Sequence, residues 1–294
     1  MSISRQNLSV VIVTFMSEDV IHDCIKSIPE EINIIIVDNS GDKKFKENIE
    51  KKYKNVECIL SSENIGMGAG NNLGLRHINT DYAFIINPDV TLEKNTIDEL
   101  IYASSEINSF GIIAPVINSD KNFNYKLFDK NDLKKNKINP FKVKSVDGFA
   151  MFLNLKDLRK IKNFNFFDEN FFLYLENEDL CLELIKNNMN IYIIPKSKIS
   201  HLGGEAVNPK YEDEIELSRN WHWMWSKFYF NKKHYGYLFA ISKVIKNLIS
   251  AKIKFFYYLI TFNNKKRRIY QMRLLGLLNS MVGRKSNYRP KLDN

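Results

Sequence analysis

The first half of the chain alternates short apolar runs with segments of helical pattern. The runs are rich in Val and Ile and lack the apolar–polar alternation of a sheet with one solvent-exposed face. Both faces of the predicted sheet are therefore expected to be covered. Strands separated by helices predict a largely parallel sheet in an α/β fold. The predicted strands occupy residues 8–15, 32–37, 56–60, 82–86, 111–115 and 146–154. Residues 121–143 are rich in Lys, Asn and Asp and are expected to form a mobile loop.

The second half carries a different pattern, in which an aromatic run leads into a helix. Residues 171–175 are aromatic and apolar, and leucines then recur at helical spacing over 180–184. Three acids stand between them: Glu176, Glu178 and Asp179. A short strand is predicted at 191–194. A long apolar helix is predicted over 235–262, with Lys243, Lys246 and Lys254 roughly on one face and Lys252 on the opposite face. This pattern fits an interfacial helix on anionic lipid as well as a helix packed on the body with a solvated basic face.

Charge divides the chain more sharply than hydropathy does. Residues 219–294 hold all three Trp, 17 Lys and Arg and one acid, for a net charge of +16, whereas residues 1–218 carry −7. At 294 residues and 44% hydrophobic, the chain can bury one large core, or one core plus an appendage. We therefore predict a catalytic or binding domain at 1–218 and an aromatic, basic helical region at 219–294. Such a tail indicates an anionic partner, either a membrane surface or a nucleic acid.

Cysteine usage and the chain start bear on the compartment. Cys24, Cys58 and Cys181 are far apart and lack metal-ligand spacing, which is typical of buried thiols in a reducing compartment. The first residues lack the basic-then-apolar layout of a signal peptide, and no apolar run reaches bilayer length. The expected location is the cytoplasm.

Polar residues follow the predicted strands at the end where α/β sheets bind ligands. Thr14, Asp38 and Asp89 stand at or just after strand ends. The glycines of 66–70 fit a flexible turn as well as a ligand-facing loop, and the neighbouring Asn71 favours the loop. Asn87-Pro-Asp89 fits a structural turn as well as a carboxylate presented to a cation.

The acidic cluster at 176–179 also has two interpretations. Acids at a helix N-terminus are favoured by the helix dipole, which requires no function. Carboxylates beside apolar side chains are otherwise costly unless they bind a cation or a donor, or carry out proton chemistry.

In this order and at these spacings, the motifs resemble the inverting family 2 glycosyltransferases of the GT-A fold. The resemblance is closest to the rhamnosyltransferase-like branch of bacterial surface-polysaccharide synthesis, and it covers roughly residues 8–235. The residues that carry it are VIVTF at 11–15, VDN at 37–39, NIG at 64–66 with Asn71 and Asn72, NPD at 87–89, VDGFA at 146–150, FLYLE at 172–176 through Asp179, and His201 with Gly203 and Gly204.

The resemblance implies roles for these residues. Those implied to contact the nucleotide and its sugar are Thr14, Asp38, Asn39, Asn64, Gly66, Asn71 and Asn87. Asp89 matches the last acid of the family's metal-binding motif and His201 a second metal or pyrophosphate contact, so a divalent cation, Mg or Mn, is implied. The family's base position is Asn177 here. That leaves Glu176 as the first candidate for the base and Glu178 as the second, with Asp179 supporting the loop or capping the helix. On an extended segment Glu176 and Glu178 would point to the same face, where two like charges would raise the pKa of one of them, as suits a base.

The implied activity is transfer of a sugar from a nucleoside-diphosphate donor, of dTDP-rhamnose or UDP-hexose type, to a saccharide or lipid-linked acceptor. The basic tail would hold the enzyme at the inner membrane face, with no nucleic acid as partner. A nicotinamide-dependent oxidoreductase would need a glycine fingerprint after the first strand, and residues 14–20 contain none. A nucleic-acid-binding protein would explain the tail but leave the strand-end motifs without a role.

Overall fold

The computed structural model describes residues 4–118, 123–129, 138–203 and 207–290. Its strands are β1 Leu8–Thr14, β2 Asn33–Asp38, β3 Val56–Leu60, β4 Tyr82–Ile86, β5 Val90–Leu92, β6 Ile112–Ile117, β7 Tyr125–Lys126, β8 Phe141–Lys142, β9 Ser145–Val146, β10 Ala150–Asn154 and β11 Ile191–His201. Its helices are α1 Glu18–Lys26, α2 Lys43–Lys52, α3 Met67–Arg76, α4 Thr96–Glu106, α5 Leu155–Leu158, α6 Glu176–Lys186, α7 Glu212–Tyr235, α8 Tyr237–Ile260 and α9 Asn264–Met281.

The main sheet is mixed, in the order β3-β2-β1-β4-β10-β6-β11-β5, with β8 beside β11. The four strands from the first apolar runs are parallel, as predicted. Strand β10 is antiparallel to β4 and to β6, and β5 is antiparallel to β11, so the sheet is less parallel than the pattern predicts. All seven residues of β1 are buried, because it lies inside the sheet with both faces covered.

Three predicted elements differ from the structure. The strand predicted over 146–154 is interrupted, because a turn separates β9 from β10. The loop predicted over 121–143 contains the short strands β7 and β8, and its residues 121–122 and 130–137 lie outside the described residues. The helix predicted to start at residue 235 starts at Tyr237, because Gly236 at φ +89° ends α7.

The described residues fall into two compact units. The first runs to Ile65 and includes Ala69–Phe167 and Asn177–Asn208; the second contains Gly66–Gly68, Asp168–Glu176 and the chain from Pro209 onward. The division predicted at 218/219 stays a prediction, and α7 runs across that position. Gly204 of the predicted motif lies outside the described residues.

The second unit is built from α7, α8 and α9 around two aromatic and aliphatic clusters. Close packing requires Gly276, since a Cβ there would lie 2.1 Å from the carbonyl oxygen of Trp221. His222 is fully buried, with its ring nitrogens 2.9 Å from the Ser286 hydroxyl and from the Tyr288 carbonyl. Burial lowers the pKa of His222 to about 3, so the imidazole is neutral and ties the chain end to α7. Across the described residues, no helix has both the length and the apolar character needed to cross a bilayer.

Candidate active site

The ends of β1 and β2 form a buried polar group in the first unit. The strands are parallel neighbours, with Thr14 paired to Asp38. The Thr14 hydroxyl donates to Asp38 Oδ1 at 3.0 Å, and the Asn39 backbone N–H donates to the Thr14 carbonyl at 2.9 Å. Asp38 Oδ2 accepts from the Ser40 hydroxyl at 2.5 Å and from the Asp42 N–H at 3.1 Å. The structure thus brings together three of the residues predicted to bind the donor, in a preorganised arrangement.

Helix α3 carries the two asparagines of the Gly-Asn segment, and the structure separates their roles. Asn72 holds the backbone of Phe167 through both ends of its amide, at 2.8 and 3.0 Å. Asn71 is 2% exposed, and its Oδ1 accepts no hydrogen bond from the residues that the structure describes. A buried acceptor without a donor costs free energy unless a ligand supplies one. Of the two asparagines, Asn71 is therefore the one whose buried acceptor no described residue satisfies.

Helix α3 lies close to β1 because glycines face the strand. A Cβ at Gly74 would lie 2.4 Å from the Val11 side chain, and one at Gly70 would lie 2.9 Å from that of Val13. Asn64, also predicted to bind the donor, is half-buried in the loop that follows β3.

Gly66 has a backbone role in the second unit. Its φ is +86°, and a Cβ would lie 2.3 Å from the carbonyl oxygen of Phe172. The next residue, Met67, donates its N–H to that same carbonyl at 2.9 Å. Any side chain at 66 would push the segment away from the 171–175 turn, so the glycine is required by close approach.

The two residues predicted to hold a metal meet in the first unit. Asp89 follows β4 and His201 ends β11, and His201 pairs with Val90 of β5. The imidazole Nε2 lies 3.3 Å from Asp89 Oδ1. Asp89 is 3% exposed, and within the described part of the chain Oδ1 accepts no aligned hydrogen bond.

Neighbouring backbone and a ring fix this pair in place. The Asp89 carbonyl accepts from the Leu202 N–H at 3.2 Å, and the Asn87 N–H donates to the Phe149 carbonyl at 3.0 Å. The Phe149 ring stacks on the imidazole of His201 with centroids 4.0 Å apart. Asn87 therefore positions the turn through its backbone, and Phe149 restricts the orientation of the imidazole.

This donor set fits a divalent cation that is shared with a diphosphate. No group of three or more His, Cys, Asp and Glu that could hold a metal occurs among the described residues. Mg²⁺ and similar cations are bound through one or two carboxylates together with substrate phosphates and water, so a full protein cage is not needed. The buried Asp89 Oδ1 without a hydrogen-bond donor is a position that a cation would stabilise.

The acidic cluster occupies the first turn of α6, and one sequence-based argument about it is wrong. Glu176 and Glu178 were expected on an extended segment with both side chains on one face. They lie in a helical turn, in which residues two apart point to different faces. The argument that the two like charges raise one pKa therefore does not apply.

The remaining side chains of this turn have structural partners in the first unit. Asn177 donates its amide to the Val146 carbonyl at 2.8 Å, and its Cβ lies 3.2 Å from where a Cβ of Gly148 would be. Glu178 forms an ion pair with Lys126, and Asp179 is 2% exposed. The amide at the family's base position thus holds the turn between β9 and β10.

Asp147 is a charged residue near the site that the sequence analysis did not single out as functional. Burial raises its pKa, and the Glu178 carboxylate raises it further, while Lys126 and His201 act in the opposite direction. An acid directly before a glycine, in a turn between two strands, was the signal that could have identified it.

Comparisons with known proteins agree with this architecture. The family model described as glycosyl transferase family 2 matches residues 9–161. The low-salt glycan biosynthesis hexosyltransferase Agl10 of Haloferax volcanii is 26% identical over 203 residues, which cover 63% of this chain. The match spans 64% of that relative's length, less than two thirds of it.

Three solved structures share the fold at low identity. GalNAc-T7, solved with UDP, GalNAc and Mn²⁺, gives a TM-score of 0.56 at 14% identity over 77% of this chain and 50% of that chain. S. aureus TarS 1-349 gives a TM-score of 0.53 at 13% identity, and the match covers 94% of this chain and 92% of that chain. The mannosyltransferase PcManGT from Pyrobaculum calidifontis was solved with GDP-Man and Mn²⁺. It gives a TM-score of 0.55 at 10% identity, and the match covers 94% of this chain and 87% of that chain. The predicted GT-A fold with a C-terminal helical extension is confirmed.

Proposed function

Because the chain belongs to glycosyl transferase family 2, we propose that it transfers a sugar from a nucleoside diphosphate to an acceptor hydroxyl with inversion. The donor is of dTDP-rhamnose or UDP-hexose type, the acceptor is a saccharide or lipid-linked saccharide, and the product is bacterial cell-surface polysaccharide. The observation that carries the proposal is the contact between the buried Asp89 and the partly buried His201. Asp89 follows β4, which lies beside β1, and β1 and β2 end in the Thr14–Asp38 group.

Donor binding is assigned to the polar ends of the parallel strands. Asp38 already accepts three hydrogen bonds, and a carboxylate has about four acceptor positions, so one remains for a base or ribose donor. Asn71 offers its buried Oδ1 to the same ligand. The other residues assigned to this pocket are Thr14, Asn39, Asn64, Gly66 and Asn87, of which Gly66 and Asn87 act through the backbone.

Asp89 and His201 would hold Mg²⁺ or Mn²⁺, which when bound neutralises charge that develops on the departing diphosphate. Two of the structural neighbours were solved with Mn²⁺. The reaction itself is a displacement at the anomeric carbon. The acceptor oxygen forms the new bond, the bond to the diphosphate breaks, and the hydroxyl proton passes to a carboxylate.

We assign the proton-accepting carboxylate to Glu176, with Glu178 as the second candidate. Asn177 cannot accept a proton at neutral pH, and its amide is committed to the Val146 carbonyl. The Glu178 carboxylate is held in an ion pair with Lys126.

Donor screening tests the proposal directly. The full chain with Mn²⁺, a panel of nucleoside-diphosphate sugars and a saccharide acceptor mixture is expected to release nucleoside diphosphate from one donor type. Mass spectrometry of the products should show one added sugar, and NMR should show the opposite anomeric configuration. Retained configuration would contradict the inverting mechanism. Absence of release from every donor would contradict the transferase assignment.

The second unit supports a peripheral membrane location. Helix α8 packs through small residues, with Ala240, Val244 and Ala251 buried. Six of its large apolar side chains are solvent-exposed: Leu238, Ile249, Ile253, Phe256, Tyr257 and Ile260. Lys246 and Lys254 flank Ile249 and Ile253 along one groove of the helix. An apolar face bordered by lysines fits an interfacial helix on anionic lipid.

The basic run at 265–268 contributes less than its charge indicates. Lys265 pairs with Asp213 and Arg268 pairs with Glu214, so acids at the start of α7 partly offset α9. The attraction to lipid is therefore assigned mainly to the lysines of α8.

We expect the protein to sediment with vesicles that contain anionic lipid and to bind neutral vesicles much more weakly. Each basic residue near an anionic surface contributes about 1 kcal/mol, so reversing both Lys246 and Lys254 to Glu should weaken binding at least roughly tenfold. Lys26→Glu in α1 combined with Lys51→Glu in α2, which reverses two exposed lysines in the first unit, is the matched control. Equal sedimentation with neutral vesicles, or none with either, would exclude this surface as an electrostatic membrane anchor.

A further inference from the structure

Helix α7 exposes one tryptophan of three. Trp221 and Trp225 are 3% and 2% exposed and belong to the aromatic core of the second unit. Trp223 is 38% exposed, and its indole is contacted edge-on by the ring of Tyr174, with centroids 5.5 Å apart and planes at 87°. The ring is therefore fixed in orientation while one part of its surface stays open to solvent.

Tyr174 reaches this position through a strained backbone. Tyr174 and Leu175 have φ values of +70° and +68°, in the left-handed region of backbone conformation that residues other than glycine rarely adopt. Neighbouring contacts hold the turn, because the Ser226 hydroxyl donates to the Leu173 carbonyl at 2.8 Å. The strained turn places Tyr174 on Trp223 and makes Glu176 the first residue of α6. Strained residues persist only where the surrounding structure holds them, and they cluster at active sites and ligand clamps.

Two residues of opposite charge act on the Tyr174 hydroxyl. Arg219 lies four residues before Trp223 on α7, so both side chains lie on one face of the helix. Burial raises the pKa of the Tyr174 hydroxyl, while the positive charge of Arg219 lowers it and the negative charge of Glu176 raises it. Both charges therefore act on the same phenol. Within the second unit, a carboxylate and a guanidinium thus act on the tyrosine whose ring contacts the open indole.

We propose that Trp223, Tyr174 and Arg219 form a subsite for the acceptor, and that its ligand is a saccharide ring. This inference rests on the proposed function, in which Glu176 is the base. One face of a pyranose consists of C–H groups that pack on an indole, and its hydroxyls bond to carboxylate and guanidinium groups. A phosphate headgroup fits less well, since Glu176 would repel it.

The test separates acceptor affinity from turnover. Trp223→Ala is expected to raise the KM for the acceptor at least tenfold and to change kcat less than threefold. Trp223→Phe, which keeps an aromatic face, should remain within about threefold of the wild type. Hydrolysis of the donor in the absence of acceptor should be unchanged in both variants. Tyr102→Ala, which removes an exposed ring from α4 of the first unit, is the matched control and should behave as wild type.

Direct binding gives a readout that needs no turnover. Saturation-transfer NMR on the full chain, with a panel of methyl hexosides, methyl deoxyhexosides and short oligosaccharides, should show transfer to sugar C–H protons that Trp223→Ala abolishes. If the wild type does not release nucleotide from any donor, the proposed function fails. The NMR comparison of the wild type with Trp223→Ala still shows whether the subsite binds a saccharide.

Three results would overturn the inference. The first is an unchanged acceptor KM in Trp223→Ala. The second is a parallel loss of donor hydrolysis and thermal stability in Trp223→Ala and Trp223→Phe, which would show a packing role. The third is displacement of the saccharide signals at Trp223 by saccharide-free phosphatidylglycerol vesicles.

Discussion

Replacing Asp89 with asparagine should abolish sugar transfer while leaving the fold intact. The substitution preserves shape and removes the negative charge from a carboxylate that is 3% exposed and lies 3.3 Å from His201. A cation that neutralises a departing diphosphate is worth several kcal/mol of transition-state stabilisation, so we expect a loss of roughly 10³-fold or more in kcat. Direct Mn²⁺ binding, measured by calorimetry or by the paramagnetic effect on water relaxation, should be lost in the same variant.

Asp81→Asn is the matched control for this prediction, because Asp81 immediately precedes β4 while Asp89 follows that strand's opposite end. It should retain both activity and metal binding. His201→Gln should weaken Mn²⁺ binding but less than Asp89→Asn, since it removes a neutral ligand and leaves the charge. Full activity in excess chelator would refute metal dependence and would direct attention to Lys and Arg side chains as the leaving-group partners.

The second large effect is expected at Glu176, the proposed general base. Glu176→Gln is expected to lower kcat by about 10² to 10⁴, the usual contribution of acid–base catalysis, with little change in donor affinity. The acidic limb of the kcat–pH profile should disappear with it, because that limb reports deprotonation of the base. Glu178→Gln should cost less than tenfold, since Glu178 is held in an ion pair with Lys126.

Glu183→Gln is the control on the same helix, because Glu183 pairs with Lys186 at the other end of α6. It should leave kcat and the pH profile unchanged. If Glu178→Gln shows the large loss while Glu176→Gln stays active, the residue that matches the family pattern is not the base in this chain. Measuring donor affinity for each variant by calorimetry separates a lost base from a lost binding contact.

Much of the fold could be predicted from the sequence, because a strand that is buried on both faces of a sheet must be apolar at nearly every position. Strand β1 is apolar at nearly every position since helices cover both sides of the sheet, and β2 and β4 read the same way. The strand-end residues could also be placed, because parallel neighbours end at one edge. Thr14 and Asp38 were expected near each other, and their side chains share a hydrogen bond.

The interrupted and antiparallel elements could not be predicted in the same way. The run 146–154 is apolar throughout except at Asp147, Gly148 and Asn154, and periodicity cannot show that the chain turns between β9 and β10. Direction in a sheet depends on which strand lies alongside, and β10 lies between β4 and β6, which come earlier in the chain. Such neighbours are set by long-range packing that leaves no local signal.

By itself, the sequence determined the residues available for chemistry, which include an amide at 177 and carboxylates at 176, 178 and 179. It also supplied Asp89 and His201, which are separated by 112 positions in the chain. The tertiary structure alone decided where these side chains lie and which of them meet. Antiparallel pairing of β11 with β5 brings His201 to Asp89, and a helical first turn places Glu176 and Glu178 on different faces. The physical reason is that side-chain type is a local property, whereas orientation and proximity follow from backbone dihedrals and from contacts between segments distant in the chain. The left-handed pair Tyr174 and Leu175 illustrates this, because that conformation persists only where the surrounding structure holds it.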